Sequence, residues 1–174
     1  MFSNNSRSQY FNNDIEKILE KIEEIDKNRK IKNYYHSIEL DGIINSKKRK
    51  FLIGKRKIKG GFSTAFLIKD NNLEFVNGVT RTFEPTKEIY RENKIKTYIY
   101  EKNKLVYYLE INETWADEEN HSIISKIEFF VNNNEIIKQN LEGNISFEIN
   151  KYFNEVLKES EKLVIEKDEL LLNL

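Results

Sequence analysis

The chain has 174 residues, with 29 Lys+Arg against 29 Asp+Glu, 33% charged, 39% hydrophobic and 12% aromatic residues. That length suits one domain burying roughly 70% of its unfolded surface, and 11 Phe with 9 Tyr exclude a disordered polar chain despite a mean hydropathy of −0.69. The absence of cysteine excludes a disulfide framework, a thiolate nucleophile, Cys-held zinc and iron-sulfur clusters together.

Met1 to Tyr10 is Ser/Asn-rich, without the apolar run a secretory signal needs, and nowhere do about 18 apolar residues follow one another. The expectation is a cytoplasmic protein that meets no membrane, with residues 1–12 a flexible N-terminal segment. From about Asp14 to Lys30, apolar residues (Phe11, Ile15, Ile18, Leu19, Ile22, Ile25) recur at spacings of three and four, which predicts an amphipathic helix. Asn13 stands in N-cap position with Glu16 three residues on, as in a capping box. Attractive and repulsive pairs among Glu16, Lys17, Glu20, Lys21, Glu23, Glu24 and Lys27 roughly cancel, so the isoleucine stripe must dock to hold the helix.

Between Tyr34 and Asn140 the period changes to two, and Gly, Asn and Asp separate the apolar runs, as in antiparallel strands joined by tight turns. Candidate strands are Tyr34–Ile44, Phe51–Ile58, Phe62–Lys69, Leu73–Asn77, Ile95–Tyr100, Leu105–Asn112, Ser122–Val131 and Glu135–Gln139. Hairpin turns are expected at Asp70-Asn71-Asn72, Glu101-Lys102-Asn103-Lys104 and Asn132-Asn133-Asn134, because Asn tolerates the left-handed backbone. Alternation groups Ile95, Thr97 and Ile99 against Lys96, Tyr98 and Tyr100, then Leu105, Tyr107 and Leu109 against Val106, Tyr108 and Glu110. Both faces are partly apolar, so a helix should cover one face and a second layer or a partner the other.

After Gly143 a helical stripe returns with Tyr152, Phe153, Val156, Leu157, Leu163 and Val164, behind a cap at Asn150. The tail ends in Leu170, Leu171, Leu172 and Leu174, too apolar to fray freely, and should dock. No internal repeat or Pro/Gly-rich linker is evident. The expected fold is one α+β domain over 1–174: an antiparallel sheet of about six to eight meandering strands, flanked by an N-terminal and a C-terminal helix.

The neutral total conceals segregated charge. Residues 27–69 hold 13 basic and 2 acidic side chains, and residues 106–174 hold 6 basic and 15 acidic ones. Basic residues concentrate in segment 47–59, as Lys47, Lys48, Arg49, Lys50, Lys55, Arg56, Lys57 and Lys59. Such a stretch can neutralise phosphates or meet an acidic protein face, and its field speeds encounter with either. The plainer reading is a solvated edge strand whose lysines deter aggregation.

An acidic loop, Glu113, Trp115, Asp117, Glu118, Glu119 and His121, gathers four carboxylates beside the only Trp. Its spacing is not that of an EF-hand, and a solvated hairpin loop or an epitope anchored by Trp115 fits it better than a metal site. His36-Ser37 and His121-Ser122 are adjacent on strands, point to opposite faces and make no dyad. Gly60-Gly61 lacks the Walker spacing, and Glu110 with Glu128 is a carboxylate pair that cross-strand pairing can bring together. No catalytic residue, metal ligand or cofactor is assigned.

The pattern points to a small non-enzymatic interaction protein that binds and inhibits or masks a partner macromolecule, of inhibitor, immunity or anti-defence (anti-CRISPR) type. The partner expected is a protein or ribonucleoprotein, and a homodimer is compatible with the polarity. One alternative is a nucleic-acid-binding protein using segment 47–59; a second is a carboxylate- or metal-dependent hydrolase. Heavy use of Asn, Ile and Lys with a single Pro fits an AT-rich bacterial or phage genome.

Overall fold

Asp70-Asn71, Lys102-Asn103 and Asn133-Asn134 all have φ between 50° and 62°, the consecutive left-handed pair of a type I′ turn, whose twist matches that of the strands it joins. Each is therefore a two-residue turn, shorter than the sequence suggests, with Lys69↔Asn72, Glu101↔Lys104 and Asn132↔Glu135 as closing pairs. Around them the computed structural model describes residues 4–31, 34–49, 55–83, 91–115 and 121–173.

In chain order these residues form α1 (Asn4–Asn28), β1 (His36–Arg49), β2 (Lys55–Lys69), β3 (Asn72–Phe83), β4 (Arg91–Glu101), β5 (Lys104–Trp115), β6 (His121–Asn132), β7 (Glu135–Gly143) and α2 (Ile149–Leu172). The strands make one seven-stranded antiparallel meander, ordered β1 to β7. The fold is α+β as expected. Of the expected strands Phe51–Ile58 and Phe62–Lys69, residues 51–54 lie outside the described residues and the remainder form one strand, because Gly60-Gly61 runs extended through β2 instead of turning. α1 begins at Asn4, so Asn13 lies within the helix and does not cap it. Asn150 likewise lies inside α2, whose N-cap is Glu148 with no side-chain cap bond.

The turns recur 32 and 31 residues apart, and each is followed at the same offset by one extra residue on the second strand: Glu74, Val106 and Ile137. These β-bulges reveal a repeated hairpin that the sequence reading missed, since the repeat resides in turn and bulge positions more than in side-chain identity. The bulge also corrects the expected faces. Leu105 shares a cluster with Tyr108, whereas Val106, Tyr107 and Leu109 line the other side.

Each face carries one helix. Ile18 and Ile25 of α1 pack on Leu67, Phe75, Ile99, Tyr107 and Phe130. Phe153 and Val156 of α2 pack on Phe66, Tyr98, Tyr108, Ile127 and Phe129. Polar ties fix both docking angles: Lys21 to Glu74 at 2.5 Å and the Asn132 amide to Asp14 at 2.7 Å for α1, Lys96 to Glu159 at 2.6 Å for α2. Leu170 and Leu171 join the α2-side core, so this part of the apolar tail docks within the chain, while Leu172 is exposed. Lys167, 2% exposed, ties the end of α2 to the β2–β3 turn by donating to the Asn71 carbonyl at 2.8 Å, with Asp168 at 2.6 Å.

Candidate functional site

Antiparallel order places the three tight turns at one end of the sheet and, at the other, the strand ends that lead into connections 50–54, 84–90 and 116–120, themselves outside the described residues. Both helices bury the turn end: Phe66 to Ile68, Tyr98 to Tyr100 and Phe129 to Val131 are all buried. Toward the connection end, Thr80, Thr82, Glu92, Lys94 and Thr114 are half-buried or exposed.

The basic segment reaches this end. Lys47, Lys48 and Arg49 close β1, and Lys55, Arg56, Lys57 and Lys59 open β2; Lys50 lies outside the described residues. The register sets Lys47 opposite Lys57, Lys48 opposite Arg56 and Arg49 opposite Lys55. Residues 55–58 pair with β1, and the β2–β3 pairing is described from Lys59↔Phe83 onward; the paired ends of β1 and β2 form a basic ribbon. Like charges directly opposite one another across an antiparallel pair are destabilising.

Of the acidic loop, Glu113 lies on β5 opposite Asn93 and Ile123, and Trp115 pairs with His121. Asp117, Glu118 and Glu119 lie outside the described residues. The strand ends that flank residues 116–120 and the ribbon thus lie at the same end of the sheet with β3 and β4 between them, about 14 Å from β2 to β5 at ordinary strand spacing. Among the described residues, no three His, Asp or Glu converge as a metal-ligand group. His36 is exposed at the start of the edge strand, opposite Ile68.

The two carboxylates considered as a pair are kept apart. Glu128 pairs with Leu109 and Glu110 with Ile127, which places Glu110 on the α2 face and Glu128 on the α1 face, where the Tyr107 hydroxyl donates to it at 2.7 Å. Glu110, 2% exposed, instead anchors a polar cluster. Its Oε2 accepts from the hydroxyls of Tyr152 at 2.6 Å and Tyr108 at 2.8 Å. Its Oε1 accepts from Asn112 Nδ2 at 2.9 Å and faces Lys94 Nζ at 3.2 Å. Burial pushes this carboxyl up, but hydrogen bonds from Tyr152 and Asn112, the Lys94 charge and the Tyr108 hydrogen bond together hold it below the ordinary value. Burial and the adjacent carboxylate push the Tyr108 phenol up, so it remains a donor. The cluster is a satisfied ionic anchor between sheet and helix. The sequence signal for it was Tyr108-x-Glu110-x-Asn112 on one strand face; the contribution of Tyr152 required the helix position.

Beside Lys94 and Asn112 lies a cavity of about 390 Å³, lined also by Thr80, Thr82, Glu92 and Ile124. With Asn93 and Glu113 completing its lining, it offers hydroxyl, amide, carboxylate and ammonium groups. No helix among the described residues is long and apolar enough to cross a membrane. Comparison with protein-family models, with curated proteins and with solved structures finds no match.

Proposed function

We propose that the protein is a non-enzymatic binding module that inhibits or masks a partner macromolecule through the connection end of its sheet. One observation carries the reading: the basic ribbon and the strands leading to the acidic loop lie at one end of the same sheet, on separate strands, beyond the helix-covered core. A partner with complementary patches gains orientation and encounter rate from such polarity more than it gains raw affinity. Bead-bound protein should recover a partner from native lysate, and charge reversal at Lys48, Arg56 and Lys57 should abolish that recovery. Equal recovery by the variant overturns the assigned surface, and turnover of nucleotides, peptides or nucleic acid by pure protein overturns the non-enzymatic reading.

A second reading is favoured by the ribbon alone. The register sets six basic residues opposite one another in three pairs, a concentration of charge suited to a phosphate backbone. Binding would be sequence-tolerant and steeply salt-dependent. A gel shift unchanged by reversing Lys47, Arg49, Arg56 and Lys57 rejects it.

A further inference from the structure

β1 is an edge strand of 14 residues, against nine for the opposite edge β7, and among the described residues nothing pairs with its outer side. A long edge of unpaired amides and carbonyls is a template for another strand. Its charges are arranged unusually. Glu39 and Asp41 are the only acidic residues between positions 27 and 69. Both are exposed, and across β2 they meet the neutral Ala65 and Ser63. The bases further along β1 fare worse, since Lys47 and Arg49 lie opposite Lys57 and Lys55. Neither group meets opposite charge on the inner side of its own strand.

We infer that two copies of the chain pair edge to edge through β1, antiparallel about a twofold axis at Ile44, giving one continuous sheet of fourteen strands. In this register Glu39 stands opposite Arg49 of the second copy and Asp41 opposite its Lys47, and symmetry makes each pairing twice. Residues opposite one another across an antiparallel pair share a face, so the odd-numbered acids and odd-numbered bases meet on one side of the sheet. Ile44 meets its own copy at the axis. Ile43, 88% exposed in the single chain, becomes the diagonal neighbour of the second Ile43, close enough for side-chain contact. The pairing satisfies the edge, covers an exposed isoleucine and opposes charges that the single chain leaves facing neutral or like neighbours. It goes beyond the binding function proposed above, and its test uses no partner.

Sedimentation velocity on the purified full chain should show a species of twice the 20.8 kDa chain mass that dissociates on dilution. The double variant Glu39→Lys/Asp41→Lys should weaken the dimer at least about tenfold, because each reversed charge faces a base. Lys47→Glu/Arg49→Glu should do the same. Mixing the two variants restores all four opposite-charge pairings and should restore the dimer, which only folded chains can do. A monomeric wild type, an open-ended polymer from β1-to-β7 pairing, a dimer indifferent to Glu39→Lys/Asp41→Lys, or a mixture that stays monomeric each overturns the proposal.

Discussion

Replacing Glu110 by Gln changes one oxygen for an amide nitrogen and leaves the volume nearly constant, which isolates the charge. In the native cluster Oε2 receives two phenolic hydroxyls and Oε1 receives an amide and an ammonium. Gln supplies one acceptor oxygen, so either the two tyrosines or Asn112 and Lys94 must face an NH2 group. Hydrogen bonds to a charged group contribute about 1.5–3 kcal/mol against about 0.5–1.5 for neutral ones, so losing charge assistance and one acceptor side should destabilise by about 2–4 kcal/mol. For a chain of this size that corresponds to a fall in Tm of about 4–16 °C. Urea unfolding of the wild type, Glu110→Gln, Tyr152→Phe and the double variant gives the coupling directly, expected above about 1 kcal/mol. The cluster also predicts a pH signature. Because the folded pKa of Glu110 is depressed, its contribution is fully present above the unfolded value of about 4.3 and is lost as pH falls through the folded one. Glu110→Gln should therefore lower stability at neutral pH and flatten the acid limb. Additive single variants, within about 0.5 kcal/mol, with an unchanged acid limb would refute the anchor.

Other consequences follow from the turns and helix ends. Asn103 and Asn134 have the same φ of 62°, but Asn103 Oδ1 also accepts the Leu73 amide at 2.7 Å, linking neighbouring turns. Asn134→Gly should thus stay within about 0.5 kcal/mol of wild type while Asn103→Gly loses about 1 kcal/mol more, measured by thermal unfolding. At Gly143, φ is +82° and an added Cβ would lie 2.1 Å from the Ile124 carbonyl oxygen. Gly143→Ala should cost more than about 2 kcal/mol and speed amide exchange in β7 first. Lys167→Met keeps most of the buried stem but leaves the Asn71 carbonyl without its donor, so a loss of about 1–3 kcal/mol in chemical denaturation is expected.

The sheet and both helices were legible because period-two and period-3.6 patterns were strong, and Asn in the turns carried its own backbone preference. Aromatic positions such as Tyr98, Tyr108 and Phe129 are buried, as cross-strand packing required. Boundaries were less legible. Asn13 and Asn150 have the chemistry of caps, but α1 begins at Asn4 and α2 at Ile149, so neither stands at a helix start. The bulges at Glu74, Val106 and Ile137 left no compositional trace, and with them the true face of Leu105 was hidden. Glu110 and Glu128 looked equivalent in sequence, and only the register separates their faces.

In the meander, every strand bonds only to its neighbours in sequence. Chain closure at each hairpin therefore spans a handful of residues, and such units assemble on the microsecond scale without waiting for distant segments. The helices make the long-range contacts. α2 lies across the sheet, and its Lys167 contact to Asn71 joins residues 96 positions apart. That contact closes a far longer stretch of chain than any hairpin does, so the loop-closure entropy of the fold is concentrated in the docking of its helices.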